Sequence, residues 1–412
     1  MRAETDTGKT AGPTTQGVDV CVVGGAGHVG LPLAITFAHK GLRALVYDIN
    51  DKALQVIASG QLPSLEYGAE PLLKETLAQG TLTVTSDVGQ VKRADIVVIT
   101  IGTPVDEFLN PVHKAVQDCI DGLLPHLRDG QTLVLRSTVF PGTTEWLDRY
   151  LVDAGRDLKV AFCPERVVQG YSVRELQSMP QIISATSPEA LAVARELFGR
   201  IAPEVIVLQP KEAEFAKLFN NTYRYIQFAI TNQFYMIANT AGVDYYAILN
   251  AMTHNYPRAK GMPGAGLTAG PCLFKDTMQL AAFARNQFGL GHAAMLVNEG
   301  LVLYVIERLR QTYPLQTMTV GLLGMAFKPE SDDIRASLSY KFKKDLALHA
   351  KRVLTTDPLV SVDPDLRPLD EVIAESDILI LCVPHQAYKG LDTKGKPLID
   401  IWDYHPDGAH VI

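Results

Sequence analysis

Cys272, Lys275 and Asp276 stand close together in the run CLFKD, which follows a glycine-rich stretch, PGAGLTAGP, over Pro263–Pro271. A helical apolar pattern opens at Lys275 and Asp276. Cys272 is therefore placed near a helix N-terminus, where unpaired N–H groups and the helix dipole favour an anion. The expected result is a thiol pKa below its usual ~8.5 and a larger thiolate fraction. Gly264, Gly266 and Gly270 would let the backbone approach a ligand closely. A second pair, Lys217 and Asn221, is spaced to share one helix face. Each group also has a plainer reading. An isolated cysteine is often a small hydrophobe, and Lys217 and Asn221 could be solvated surface groups.

The elements that must position these residues follow from the apolar patterning. Asp19–Val23 (DVCVV) reads as a buried strand, Gly25–Gly30 (GAGHVG) as a turn, Leu31–His39 as a helix and Arg43–Tyr47 as a second strand ending on Asp48. A G-x-G-x-x-G between strand and helix, with an acid about 20 residues on, is the dinucleotide pattern. Gly25 would make the tight turn, Gly27 would admit the pyrophosphate and Gly30 would pack helix on strand. Asp48 would bond a ribose 2′-hydroxyl and repel a 2′-phosphate, favouring NAD over NADP.

Candidate strands then recur at 82–85, 96–101, 132–135, 160–163, 181–185 and 204–208, with helical patterns between most of them. This predicts a parallel, doubly wound α/β sheet with ligands at the carboxyl ends of its strands. Those ends carry Thr103 and Pro104, Ser137 and Thr138 with Pro141-Gly142, and Glu165 and Arg166. Turn chemistry explains the hydroxyls equally well. Lys211–Ala241 contains no Gly or Pro and fits one helix of ~45 Å. Further helices are expected over 244–252, 275–288 and 293–311. Strands at 318–324, 351–357, 377–383 and 398–401 make a second, smaller α/β unit. Its first crossover lacks G-x-G-x-x-G, so a nucleotide or nucleotide-sugar head suits it better than a dinucleotide. Arg335 suits a phosphate or a base edge, or else pairs with Asp332 or Asp333. The expected organisation is a disordered tail (1–17), a dinucleotide-binding domain (18–210), a central helical domain suited to dimerisation (211–314) and the smaller α/β domain (315–412).

Composition sets outer bounds. The chain has 412 residues, 47% hydrophobic and 20% charged, with net charge −7. That balance argues against a general nucleic-acid or membrane-surface binder. The five cysteines are scattered, without metal-ligand spacing, and no metal is expected. They read as reduced thiols of a cytosolic protein. No signal peptide opens the chain, and no uninterrupted apolar stretch approaches the ~18 residues of a membrane span.

Together the motifs resemble the UDP-glucose/GDP-mannose dehydrogenase family. They are GAGHVGLP (25–32), STVFPGTT (137–144), Pro164-Glu165, Lys217-x-x-x-Asn221, Cys272-x-x-Lys275-Asp276 and GMAFKPESDDIRAS (324–337). The resemblance covers about Val18 to Asp400. It implies an NAD-dependent, four-electron oxidation of the C6 hydroxymethyl of a nucleotide-linked sugar to a carboxylate. Cys272 would be the nucleophile that forms a hemithioacetal and then a thioester. Lys217 would stabilise the oxyanion, helped by Asn221. Asp276 would hold a water with Thr138, and Glu165 would assist thioester hydrolysis. Gly25, Gly27, His28, Val29, Gly30, Asp48, Thr103, Pro104, Ser137, Thr138, Lys275 and Arg335 would meet the cofactor. Glu165, Arg166, Val167, Lys217, Asn221, Gly264, Gly266, Cys272 and Lys328 would meet the substrate. Arg258 would reach the substrate phosphate of a neighbouring subunit, which implies a homodimer.

Two signals point to different sugars. Cys-x-x-Lys-Asp is closer to glucose-type members, whereas CPERV, with Gln169 where glucose types carry a second Glu, is closer to N-acetylhexosamine types. UDP-glucose or dTDP-glucose is the expected substrate, with a UDP-N-acetylhexosamine as the alternative. A two-electron β-hydroxyacid dehydrogenase would leave Cys272 and the second α/β unit unexplained. An inactive nucleotide-sugar-binding regulator would predict loss of Cys272 or Lys217, and both are present.

Overall fold

The computed structural model describes residues 17–112, 114–268 and 270–409. The tail expected over residues 1–17 lies outside them except for Gly17. Eight strands form the first sheet: Val18–Val23 (β1), Ala44–Tyr47 (β2), Leu82–Thr85 (β3), Ala94–Ile99 (β4), Thr132–Leu135 (β5), Lys159–Phe162 (β6), Gln181–Ala185 (β7) and Val205–Val207 (β8). Their order is β3-β2-β1-β4-β5-β6-β7-β8. Chain order reverses between β1 and β4, which creates the crevice where such sheets bind ligands. Alternate side chains of β1 enter opposite layers. Val20 and Val22 pack with Leu31 and Ile35 of the helix Gly30–His39, while Cys21 and Val23 pack with Val116 and Leu147 on the other face. Burial on both faces explains why this strand is apolar throughout.

The patterning predicts a parallel sheet, and the structure departs from this at one pair. β7 runs antiparallel to β6 (Phe162 opposite Ser184), and β8 is parallel to β7. A parallel partner needs a long crossover, usually helical. The link from Cys163 to Pro180 holds only the short helix Ser172–Leu176. The chain therefore stays at the carboxyl edge of β6 and β7 runs back from there. This keeps Glu165, Arg166 and Val167 on the crevice rim.

The long helix Pro210–Thr240 begins with Pro at its first turn and a capping box, in which Gln209 N–H donates to Glu212 (2.9 Å). Helices Tyr245–Thr253, Leu273–Phe283 and Gly289–Thr312 follow. The helix expected over 275–288 ends earlier, because Arg285 and Asn286 adopt positive φ (52° and 58°). Gly289–Thr312 is long and apolar enough to cross a membrane by length and composition alone. Here its Leu301, Val302, Val305 and Leu309 pack against Val320 and Leu322 of a second sheet. That sheet comprises Thr319–Leu323 (β9), Arg352–Thr356 (β10), Ile378–Leu381 (β11) and Leu398–Asp400 (β12). It is parallel throughout, in the order β10-β9-β11-β12.

Candidate active site

Cys272 is the N-cap of the helix Leu273–Phe283. The loop before it is wedged against the C-terminal unit. Gly270 has φ +106°, and a β-carbon there would lie 2.5 Å from the Phe327 ring, so only glycine fits. A β-carbon on Gly266 would strike the Trp402 ring at 2.1 Å. The close approach that Gly266 permits is thus to Trp402 rather than to a ligand. Gly264 is exposed and faces the Tyr246 ring.

The Cys272 side chain is open to solvent, yet its pKa is raised, not lowered as the helix position alone predicts. The surrounding protein raises it most, the Asp276 carboxylate adds to this, and Lys217, Lys275 and Arg335 pull the other way. Desolvation, with the buried carboxylate one turn along the same helix, outweighs the lowering expected at a helix N-terminus.

Asp276 is fully buried. Its Oδ2 accepts from Asn221 (2.6 Å) and, at 3.5 Å, from Thr138. Lys275 Nζ lies 3.0 Å from Oδ1 as an ion pair, but Oδ1 accepts no hydrogen bond among the described residues. Lys275 also donates to Thr103 Oγ1 (3.2 Å), and that hydroxyl donates to the Thr138 carbonyl (2.6 Å). The sequence spacing 217/221 does place both groups on one face: Lys217 and Asn221 are buried. Lys217 makes no hydrogen bond or ion pair among the described residues, so its ammonium remains free to meet a reacting oxygen.

Glu165 faces a different partner. Its carboxylate pairs with Arg136, which is fully buried, and accepts from the N–H groups of Arg166 (2.7 Å) and Val167 (2.9 Å). Arg136 also donates to the carbonyls of Cys163 and Pro164 and to Gln181, and stacks 5.0 Å from the Phe198 ring centre. Arg136 escapes sequence reasoning because an Arg at a strand end reads as surface. The one available signal is its place directly after the apolar run TLVL. Arg166 itself turns away, donating to the Pro180 carbonyl.

The dinucleotide frame fits an NAD group. A β-carbon on Gly25 would lie 2.6 Å from the Val22 carbonyl, and one on Gly30 would lie 2.6 Å from the Gly24 carbonyl. One on Gly27 would meet only the Gly24 carbonyl, at 3.3 Å, leaving its outer side open for a phosphate. Asp48 Oδ2 accepts from Ala26 N–H (3.0 Å) and the side chain stays part-exposed. Val29 precedes the helix as its N-cap. Ser137 donates to the Ile101 carbonyl. A pocket of about 360 Å³ opens at the carboxyl ends of β4 and β5, with Thr103, Pro104, Phe140 and Trp146 in its wall.

His28 and Arg335 are less simple than expected. His28 Nδ1 lies 3.0 Å from Gln169 Nε2, which also donates to Asp333 (3.1 Å). That amide can only donate, so Nδ1 accepts. Burial and nearby Arg335 push the His28 pKa down. Arg335 pairs with Asp333 (2.6 Å). Lys328 sits 5.7 Å from the Tyr171 ring centre, its pKa lowered by burial and partly restored by Glu66 and Asp332. Arg258 does not join the cluster. It is exposed and hydrogen-bonds to Tyr256 (3.3 Å).

Models of three domains of one family match the chain. They are described as the NAD binding, central and UDP binding domains of the UDP-glucose/GDP-mannose dehydrogenase family, over residues 18–202, 211–300 and 321–404. The chain is 31% identical over 385 residues to the UDP-N-acetyl-D-mannosamine dehydrogenase of Pyrococcus horikoshii, covering 89% of this chain and 90% of that protein. It is 28% identical over 391 residues to the NDP-N-acetyl-D-galactosaminuronic acid dehydrogenase of Ralstonia nicotianae, covering 90% and 91%. The solved structure of a UDP-D-ManNAc dehydrogenase from Pyrococcus horikoshii superposes with a TM-score of 0.86 at 28% identity, over 96% of each chain.

Proposed function

Because the chain belongs to the UDP-glucose/GDP-mannose dehydrogenase family, we propose that it oxidises the C6 hydroxymethyl of a UDP-N-acetylhexosamine to a carboxylate. It is an NAD-dependent nucleotide-sugar dehydrogenase. The glucose-type expectation gives way to its alternative, since the two relatives above are named for N-acetylated sugars. The CPERV wording and Gln169 support the same choice. The observation that carries the chemistry is the gathering of Cys272, free Lys217 and the Asp276–Asn221–Thr138 network around one helix terminus.

NAD, held over Gly25–Gly30 with Asp48 at its ribose, would supply the hydride acceptor for each of two oxidations of the sugar carbon. In the first, the C6 hydroxyl loses its proton to water held by the Asp276 carboxylate, whose Oδ1 accepts no hydrogen bond from the described residues, while Lys217 stabilises the alkoxide. The resulting aldehyde lacks a second easily lost hydride until a nucleophile adds. Cys272 sulfur bonds to C6, giving a hemithioacetal whose oxygen Lys217 and Asn221 hold. Loss of the second hydride leaves a thioester, and water cleaves the C–S bond, returning the thiol and releasing the acid. Glu165, fixed by Arg136 and two N–H groups, orients that water. The C-terminal unit holds the nucleotide, with Lys328 directed to its phosphates.

A homodimer belongs to the same proposal. Phe219, Tyr223, Ile230, Phe234 and Ile237 leave an apolar stripe exposed along the long helix, and a second copy would cover it and meet Arg258. Initial rates on UDP-N-acetylmannosamine, UDP-N-acetylglucosamine, UDP-N-acetylgalactosamine and UDP-glucose test the substrate. One N-acetylated sugar should exceed UDP-glucose by at least about 100-fold in kcat/KM, about 2.7 kcal/mol. A preference for UDP-glucose would restore the other assignment.

A further inference from the structure

Gln279 lies one turn beyond Lys275 on the helix Leu273–Phe283, and it is 1% exposed. Its Nε2 faces the Thr103 carbonyl at 3.4 Å. A carbonyl can only accept, so the amide is oriented with Oε1 at the other side. Oε1 has no hydrogen-bond partner among the described residues. Leaving a buried acceptor unpaired is unfavourable. Gln279 also lines the pocket at the ends of β4 and β5, beside Pro104, Val139, Phe140 and Trp146. The pocket is therefore a largely apolar slot whose wall includes Gln279, a side chain with a buried, unpaired acceptor. A flat ring that carries an N–H donor suits it.

The dinucleotide frame says which ring arrives there. The pyrophosphate belongs over Gly25–Gly30, and Asp48, at the end of β2, claims the adenosine ribose. β2 lies on one side of β1 and β4 on the other. The remaining half of the molecule must cross β1 toward β4 and β5, where the slot opens. Thr103 joins that slot to Lys275 and thereby to the helix that Cys272 caps, so a hydride acceptor there would lie on the side of the slot linked to that helix.

We propose that Gln279 reads the nicotinamide carboxamide, its Oε1 accepting a hydrogen bond from the carboxamide NH2 while Nε2 stays on the Thr103 carbonyl. Gln279 is thus a specificity residue for the cofactor's reactive end. The inference rests on NAD being bound in the frame described above.

Binding without turnover tests it, with the quenching of tryptophan emission (Trp146 lines the slot) as readout and calorimetry in parallel. NAD should bind the wild-type protein roughly three- to tenfold more tightly than its 3-acetylpyridine analogue, which lacks the NH2 donor; this is the ratio expected for one neutral hydrogen bond. In Gln279→Leu that ratio should collapse to about one, while ADP-ribose, which has no nicotinamide, should bind wild type and variant alike. If wild type binds NAD but does not distinguish the analogue, or if Gln279→Leu keeps the ratio, the role assigned to Gln279 is wrong. The wild-type comparison stands even if the variant is poorly folded. If wild type binds neither NAD nor ADP-ribose, the cofactor frame itself falls, and the inference with it.

Discussion

Two crossovers in this molecule share one plan and use it oppositely. In the N-terminal sheet, the turn after β1 meets the carboxylate at the end of β2. Asp48 accepts one N–H from that turn (Ala26, 3.0 Å) and one from Asn50 (3.0 Å), and stays part-exposed. In the C-terminal sheet, the turn after β9 meets the carboxylate at the end of β10. Asp357 accepts N–H groups from Met325 (2.6 Å), Ala326 (3.0 Å), Leu359 (2.8 Å) and Val360 (3.0 Å). His385 adds to these: Glu330 N–H donates to Nδ1 (3.2 Å), so Nε2–H faces Asp357 at 3.2 Å. The Asp357 side chain is fully buried. The first acid has lone pairs left over, which the proposed reading gives to a ribose hydroxyl, whereas those of the second are taken up by the protein. Topology alone therefore does not make a dinucleotide site. On the proposed reading, the unpaired lone pairs of one carboxylate make the difference.

The largest effect should come from closing off that difference at the C-terminal end. Asp357→Ala orphans several buried N–H groups and should lower unfolding free energy by about 3 kcal/mol or more in urea, with NAD affinity changed less than about twofold. Its pH signature has a definite sign. Burial alone would raise the Asp357 pKa, but His385 and the backbone donors hold it below the ordinary value. The stabilisation is complete above the unfolded carboxyl value, ~3.9, and is lost as pH falls through the lowered folded value. The acid limb of the stability profile should therefore be shallower in Asp357→Asn. An unchanged acid limb would remove the distinction between the two acids.

Asp48→Ala should show the mirror image. NAD should bind about tenfold more weakly and the preference over NADP should vanish, while stability falls by about 1 kcal/mol. A variant that still rejects NADP would show that Asp48 is not the discriminating group. The glycines sharpen the contrast. Gly324 has φ +96° and its β-carbon would lie 2.6 Å from Val383 Cβ, so Gly324→Ala should lose about 1–3 kcal/mol of stability. Gly27→Ala has only the 3.3 Å contact and should lose less than about 1 kcal/mol, yet weaken NAD binding. Equal stability losses would contradict the claim that one turn is open and the other packed.

A smaller effect tests the same opposition of free and paired charge at Cys272. Lys217 and Asp276 act on the thiol with opposite signs. Iodoacetamide alkylation near pH 8 should be several-fold faster in Asp276→Asn and slower in Lys217→Met, as a lowered or raised thiol pKa requires. Shifts in the same direction in both variants would contradict the charge assignment.

Much of this was legible in the residues. The GAGHVG turn, the acid at Asp48 and the shared face of Lys217 and Asn221 are local features, set by strand and helix periods. So is the place of Cys272 near a helix N-terminus, although the helix starts at Leu273, two residues earlier than the pattern indicates. What escaped depends on distant partners. Arg136 is explained only by Glu165, Gln181 and Phe198, which lie far along the chain. The reversal of β7 follows from a link too poor in helix to cross the sheet. The raised thiol pKa of Cys272 comes first from desolvation by the surrounding protein and second from the buried carboxylate of Asp276, against the lowering that the helix N-terminus alone would give. The closed state of Asp357 needs His385, which belongs to the segment after β11.

The most direct test of the proposed chemistry is the NADH formed per mole of limiting UDP-N-acetylhexosamine, measured for wild type and for Cys272→Ser. The thioester route predicts about two for wild type, since each round removes one hydride. It predicts at most about one for the variant, with aldehyde instead of acid. A wild-type ratio near one, or full acid production without the Cys272 sulfur, would contradict it.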